Sequence, residues 1–244
     1  MKFIRTLYGS DFENSRPKIL TDIHRSFKQN KEFASEKVLY YVMGFEAESL
    51  LKRAGAKNIV RVTDEPIKRV SGGVLSWNKV FLIRKAVRDH GEVLYTDMDT
   101  FPQPDFDEEE AVELLRGKVG LGRLMQMPLI SYVKPYFFFR PPRTGLEWET
   151  RSPAIGLFGC FMYFSCDFLF DWFFEDYEEL VEKWQRKAGD EQFITYSIGK
   201  RFGEMSLRQL MDNFSPDLRL IRPRCGFLDG LIDDPSKPMF RHRR

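Results

Sequence analysis

Two aspartates separated by one residue, Asp97 and Asp99, follow the apolar run Val93-Leu94-Tyr95-Thr96. Carboxylates two apart on an extended chain share a face, and at the fraying end of a strand both can turn toward one cation. Oxygen donors of this kind suit Mn²⁺ or Mg²⁺, hard ions that keep open positions for the oxygens of a substrate phosphate. Ligands of open α/β proteins bind outside the carboxyl ends of the strands, so the position of the pair matters as much as its chemistry. A solvated acidic loop would have the same composition. What sets this pair apart is the apolar strand leading into it after three strand-and-helix units.

Those units are regular. Lys2 to Tyr8 reads as a strand ending at Gly9-Ser10, and Pro17 to Asn30 as a helix with Ile19, Leu20, Ile23 and Phe27 at helical spacing. Val38 to Met43 is the second strand, Phe45 to Ala54 a helix stopped by Gly55, and Asn58 to Val62 the third strand. Ser71-Gly72-Gly73 lacks the spacing of a dinucleotide or Walker fingerprint and reads as a turn. Ser76 then caps a helix to His90, Gly91 stops it, and Val93 to Tyr95 enters the aspartate strand. Downstream, Asp107 to Arg116 is an acidic-headed helix, Val119 to Leu124 and Ile155 to Phe164 are strands, Phe168 to Lys187 and Glu191 to Gly199 are helices, and Leu218 to Ile221 is a last strand. Strands alternating with helices imply an α/β chain around a mostly parallel sheet.

Composition bounds the class. The chain has 244 residues, 43% hydrophobic and 30% charged, with no linker-like tract, which fits one globular domain. Thirty-eight basic residues nearly cancel 36 acidic ones, so no global field favours nucleic acid or an anionic membrane. Three cysteines, Cys160, Cys166 and Cys225, without metal spacing fit a reduced compartment, and the strand-like start lacks a secretory leader; together they lead us to expect a cytoplasmic protein. The apolar stretch Gly156 to Phe174 is interrupted by Asp167 and Asp171 and reads as a buried strand and helix rather than a membrane span. No heptad or self-complementary stripe indicates an oligomeric state. Aromatic residues make up 15% of the chain, and ten of its 23 phenylalanines fall between Tyr136 and Phe174. Most suit a buried strand and helix. Phe137-Phe138-Phe139 instead sits in an irregular segment, Gln126 to Pro153, with five prolines, an insertion of the kind that forms a lid or binding loop.

In this order of features the sequence resembles nucleotide-sugar-dependent glycosyltransferases of the A-type fold (GT-A), and within them family 8. The matching residues are Thr6-Leu7-Tyr8-Gly9-Ser10 at the end of the first strand, Trp77-Asn78-Lys79 opening the helix that runs through Arg84, Asp97-Met98-Asp99, Gly159-Cys160-Phe161-Met162-Tyr163-Phe164, and Asp190-Glu191-Gln192-Phe193. The resemblance implies a single-domain Rossmann-like fold with a mixed, mostly parallel central sheet flanked by helices. Residues 1–125 would bind a nucleotide-sugar, a UDP-sugar by family likeness, and residues 126–244 a glycan or other hydroxyl acceptor.

By the same resemblance Asp97 and Asp99 hold Mn²⁺ or Mg²⁺ against the diphosphate, Lys79 or Arg84 adds a positive charge there, and Tyr8, Gly9 and Asp64 lie at the nucleotide. Asp190, Glu191 and Gln192 face the donor sugar, where one of them can bind hydroxyls and one can act as base in an inverting reaction. Family 8 ends in His-x-x-Gly-x-x-Lys-Pro-Trp, whose histidine completes the metal site. Here Asp234-Pro235-Ser236-Lys237-Pro238-Met239 keeps only Lys-Pro, which leaves His242, Asp229 or water as third ligand.

Two rivals remain open at this point. Asp97-Met98-Asp99-Thr100 also resembles the Asp-x-Asp-x-Thr motif of haloacid dehalogenase-type phosphatases, with Asp97 as nucleophile, Asp99 as acid/base and Leu231-Ile232-Asp233-Asp234 as the later acidic motif. In that family the motif opens the fold, whereas here three βα units precede it. The other rival is a non-catalytic relative that binds a nucleotide or glycan.

Overall fold

The structure, a computed structural model, describes residues 1–9, 16–64, 69–70, 73–74, 77–118, 120–127, 154–165, 170–176, 197, 201, 212–214, 217, 219–221 and 237–242. Strand β1 (Lys2–Tyr8) is followed by helix α1 (Arg16–Gln29), a π-helical turn at Phe33–Lys37, and β2 (Val38–Met43). Helix α2 (Phe45–Ala54) leads to β3 (Ile59–Arg61). A small antiparallel hairpin, β4 (Arg69–Val70) and β5 (Gly73–Val74), occupies the stretch read as a turn. Helix α3 (Trp77–His90) then enters β6 (Val93–Thr96). After β7 (Thr100–Pro102) come α4 (Glu108–Leu115), β8 (Gly120–Met127), β9 (Ala154–Phe164), a helical stretch at residues 170–176, and β10 (Phe240–His242).

The central sheet has the order β3-β2-β1-β6-β9-β8. Its first four strands are parallel, and β9 and β8 join antiparallel. This is the mostly parallel sheet that the strand and helix order implied, and the mixed sheet flanked by helices that the resemblance implied. The chain runs outward from β1 through β2 to β3, then returns through α3 to place β6 on the other side of β1. The boundary between β1 and β6 is therefore the topological switch point, where the crossover helices diverge and leave a crevice at the carboxyl ends of the strands.

Alternation along the strands builds a core on each face. Phe3, Leu7, Tyr40, Val42, Leu94, Phe161 and Tyr163 pack with Ile23 and Phe27 of α1, Leu50 and Leu51 of α2, and Ala111 and Leu115 of α4. Ile4, Tyr8, Tyr41, Met43, Val93, Tyr95, Met162 and Phe164 face the other way, onto Trp77, Val80, Ile83 and Val87 of α3 and onto Phe170 and Phe173. Strands covered on both faces read as near-continuous apolar runs, which is why β2 is legible as Val-Leu-Tyr-Tyr-Val-Met. Gly55 ends α2 in the left-handed region (φ 103°), its N–H bonding back to the carbonyls of Leu51 and Lys52. Asp107 caps α4, accepting from the N–H groups of Glu109 and Glu110 at 2.8 and 3.1 Å.

One expected element is corrected. Of the strand expected at Leu218 to Ile221, the described residues 219–221 form none: Leu220 N–H closes a turn on the carbonyl of Asp217, and Ile221 makes an isolated bridge to Phe240. The last strand is β10, which pairs antiparallel with β7. Of the helices expected at Phe168–Lys187 and Glu191–Gly199, the described residues show 170–176 and Ser197 as helical. The proline-rich segment with Phe137-Phe138-Phe139 lies outside the described residues. Among those described, no helix is long and apolar enough to cross a membrane.

Candidate functional site

Asp97 sits where β6 ends. Its N–H bonds the carbonyl of Cys160 on β9 at 2.9 Å, and its own carbonyl accepts from Thr100 N–H at 3.1 Å, so Asp97 to Thr100 form a closed turn before β7. Met98, 6% exposed, is buried in the core on the α1 side, while Asp97 and Asp99 on either side of it stay partly exposed. Burying the apolar residue between them is what keeps two carboxylates at the rim of the crevice.

Lys79 is 6% exposed and donates to Asp97 Oδ1 at 3.0 Å and to the carbonyl of Gly159 at 2.8 Å, with its ammonium 4.7 Å from the centre of the Tyr95 ring. Tyr95 OH donates to the same Asp97 oxygen. Burial, and then the charge of Asp97, hold the Tyr95 phenol well above its ordinary pKa despite the opposing charge of Lys79, so Tyr95 remains a donor. A buried ammonium is costly unless paired and hydrogen-bonded, and here a carboxylate, a carbonyl and an aromatic face supply the partners. Lys79 lies in the first turn of α3, beside the buried Trp77 and Asn78, and that turn carries no acidic residue. The positive end of a 14-residue helix and the ammonium thus reach the same crevice, a combination that favours an anionic ligand.

On the opposite face of the sheet, Arg5 is 1% exposed. Its guanidinium donates to Thr96 Oγ1 at 3.2 Å, to the carbonyl of Thr100 at 2.7 Å and to Ser26 Oγ on α1, and it lies 6.0 Å from the centre of the Phe33 ring. Two of these partners bracket the turn that carries both aspartates.

The remaining candidates fall in different places. Tyr8 is at the switch point, at the end of β1, but its ring is 7% exposed and packed in the core beside Trp77; Gly9 follows it. Asp64 lies beyond the end of β3, exposed, 3.5 Å from Lys85. Arg84 pairs with Asp171, its guanidinium 5.0 Å from the Phe174 ring, so the structure joins it to residues 170–176 and gives Lys79 to Asp97. The backbone of His242 lies opposite Thr100 in the pairing of β10 with β7, next in line to Asp99. Asp190, Glu191, Gln192 and Asp229 lie outside the described residues. Among those described, no three His, Cys, Asp or Glu side chains form a metal cluster.

Sequence reading missed Tyr95 and Arg5. Tyr95 stands two before Asp97 on one strand, so their shared face was available from spacing. Arg5 follows Ile4 in an alternating strand, where a charged residue is read as facing water, yet in the folded sheet it is 1% exposed.

No family model matches the chain, and no curated protein matches its sequence. Solved structures do. Mouse xyloside xylosyltransferase 1 in its apo form superposes with a TM-score of 0.52 at 11% identity, over 100% of this chain and 97% of that one. The apo form of the glycosyltransferase GlyE from Streptococcus pneumoniae TIGR4 gives 0.45 at 12% identity, over 99% of this chain and 54% of its own. A nucleoside-diphosphate-sugar pyrophosphorylase from Vibrio cholerae RC9 gives 0.39 at 13%, over 82% and 88%. The likeness to the xylosyltransferase extends over nearly the whole of both chains, and the fold is accordingly a GT-A-like α/β fold, with Asp97 at its switch point.

Proposed function

We propose that the protein is a metal-dependent glycosyltransferase that moves a sugar from a nucleotide diphosphate, UDP by family likeness, to a hydroxyl of a glycan or other acceptor. The observation that carries this reading is the pairing of Asp97 with the buried Lys79 at the carboxyl end of β6, on the switch point of the sheet. The donor set fits a hard divalent ion: Asp97 and Asp99 offer carboxylate oxygens on either side of the buried Met98. Asp97 and Asp99 would hold Mn²⁺ or Mg²⁺, with His242 as the candidate third ligand on the neighbouring strand. When bound, such an ion neutralises charge on the leaving diphosphate.

The chain's own residues do the rest. Breaking the bond from the anomeric carbon leaves negative charge on the diphosphate oxygen, and Lys79 with the N-terminus of α3 presents fixed positive charge to it without reorganisation. Tyr95 and Lys79 hold Asp97 in one orientation. In this reading the N-terminal half binds the donor and residues 126–244 the acceptor, in the cytoplasmic setting expected from three cysteines without metal spacing. By family likeness Asp190, Glu191 and Gln192 would face the donor sugar, one of them binding its hydroxyls and one serving as general base in an inverting reaction.

The test is slow hydrolysis of UDP-, GDP- and dTDP-sugars with and without Mn²⁺, run beside a generic phosphomonoester with Mg²⁺. Metal-dependent release of nucleoside diphosphate that disappears in Asp97→Ala and Asp99→Ala is the expected result. Phosphomonoester turnover without nucleotide-sugar cleavage would replace the reading with the phosphatase.

A further inference from the structure

Arg5 is the most deeply buried cation among the described residues, and no step above uses it. The three hydrogen-bonding directions of its guanidinium are distributed unevenly. Nε and Nη2 go to Thr96 Oγ1 and to the carbonyl of Thr100, the residues immediately before Asp97 and immediately after Asp99, while Nη1 is tied to Ser26 on α1. A rigid planar fork that holds both ends of a turn fixes the distance between them, which a flexible ammonium cannot do. The same turn is gripped from the other face of the sheet by Lys79, at the Asp97 carboxylate. Lys79 thus holds a carboxylate directly, whereas Arg5 holds the backbone and side chain at the two ends of the segment that carries both aspartates.

We propose that Arg5 is a positioning residue for the aspartate pair: by clamping Thr96 and Thr100 it holds Asp97 and Asp99 at the separation one divalent cation requires. The proposal rests on the reading that these two carboxylates bind a metal ion. Partners that orient metal ligands without touching the metal commonly change affinity by about 10–100-fold when removed.

Two conservative variants separate positioning from simple structural plugging. Thr96→Val and Ser26→Ala each remove one hydroxyl acceptor from the same guanidinium, but only the first lies at the aspartate turn. Mn²⁺ binding to the purified protein, followed by calorimetry or by the Mn²⁺ electron spin signal, is measured alongside thermal melting, with Arg5→Lys as a third variant and Asp97→Asn and Asp99→Asn as references. The expected result is affinity about tenfold weaker in Thr96→Val and Arg5→Lys and near wild type in Ser26→Ala, although all three lower the melting midpoint. Should Arg5→Lys fail to fold, the contrast between Thr96→Val and Ser26→Ala decides.

Wild-type affinity in Thr96→Val, or equal weakening in Thr96→Val and Ser26→Ala, overturns the positioning role while leaving the metal reading intact, provided Asp97→Asn and Asp99→Asn abolish binding. A wild-type protein that binds no Mn²⁺, or that binds it unchanged in both Asn variants, overturns both.

Discussion

Arg5 and Lys79 lie on opposite faces of one sheet, 1% and 6% exposed, yet both end within the five residues from Thr96 to Thr100. Lys37, Lys52 and Lys57 pair just as closely, with Glu108, Glu48 and Glu36, but they do so at the surface and each serves only its own neighbourhood. The difference is energetic. Exposed pairs are screened by water and salt and contribute little, whereas a cation taken out of water loses several kcal/mol of hydration that its partners must restore. A fold that keeps two such cations inside, aimed at the same turn, is one in which the position of that turn matters more than the stability gained elsewhere by replacing them with apolar side chains.

Breaking the interior set should therefore have large effects and breaking the surface set small ones. The largest is expected for Asp97→Ala and Asp99→Ala, which should lower nucleotide-sugar cleavage by at least about 100-fold, since they remove the ligands of the charge-stabilising ion; steady-state kinetics with circular dichroism as a folding control measures this. Next is Lys79→Met. It should cut kcat/KM for the nucleotide-sugar by about 10–100-fold and destabilise the protein by about 1–3 kcal/mol, because Asp97 loses its cation in a partly dry setting. A double-mutant cycle with Asp97→Asn sharpens the point: the double variant should be less destabilised than the two single losses added together, and strict additivity would mean that the pair is not coupled.

A smaller effect is expected from alkali. The folded-state pKa of Tyr95 is raised well above the model-peptide value of 10.0 by burial and by the Asp97 charge, and those of Tyr41 and Tyr163 are raised by burial and by bonds to Asp89 and Glu92. A raised folded pKa means that the native state holds the proton more tightly than the unfolded chain. The associated stability is present in full below pH 10 and is lost as pH climbs toward the folded values. Absorbance at tyrosinate wavelengths should accordingly show a group of tyrosines that ionise late, together with unfolding. The smallest effect is expected for Lys37→Ala and Lys57→Ala, whose melting midpoints should match wild type within error; a clear drop would erase the distinction between the two sets of charges.

Local pattern carried most of the fold and half of the site. Strand β2 and helix α2 were legible to the residue, because an apolar run buried on both faces and a helical period ended by Gly55 are statements about neighbours in sequence. Strand β10 was not. Three residues, Phe240-Arg241-His242, have no periodicity of their own, and what makes them a strand is pairing with Thr100 to Pro102 from a remote part of the chain. The apolar Leu220 and Ile221 drew the expectation instead, and they are buried, but as a turn with one bridge.

The π-helical turn at Phe33–Lys37 was equally invisible, being set by the fit between the end of α1 and the start of β2. In the site, Asp97 and Asp99 were singled out by residue type and spacing, and Lys79 by family likeness as one of two alternatives with Arg84. Arg5 was missed because a charged residue in a strand is ordinarily read as facing water, and only the sheet order reveals that β1 is central. For Arg84 the sequence could not distinguish one face of α3 from the next, and the structure commits its guanidinium to Asp171.

The most direct measurement is the anomalous signal of Mn²⁺ in crystals grown with UDP. The account predicts one strong peak bridging the carboxylates of Asp97 and Asp99, with the diphosphate on its open side and Lys79 in reach of a phosphate oxygen. A peak elsewhere, or none beside a bound nucleotide, would contradict it.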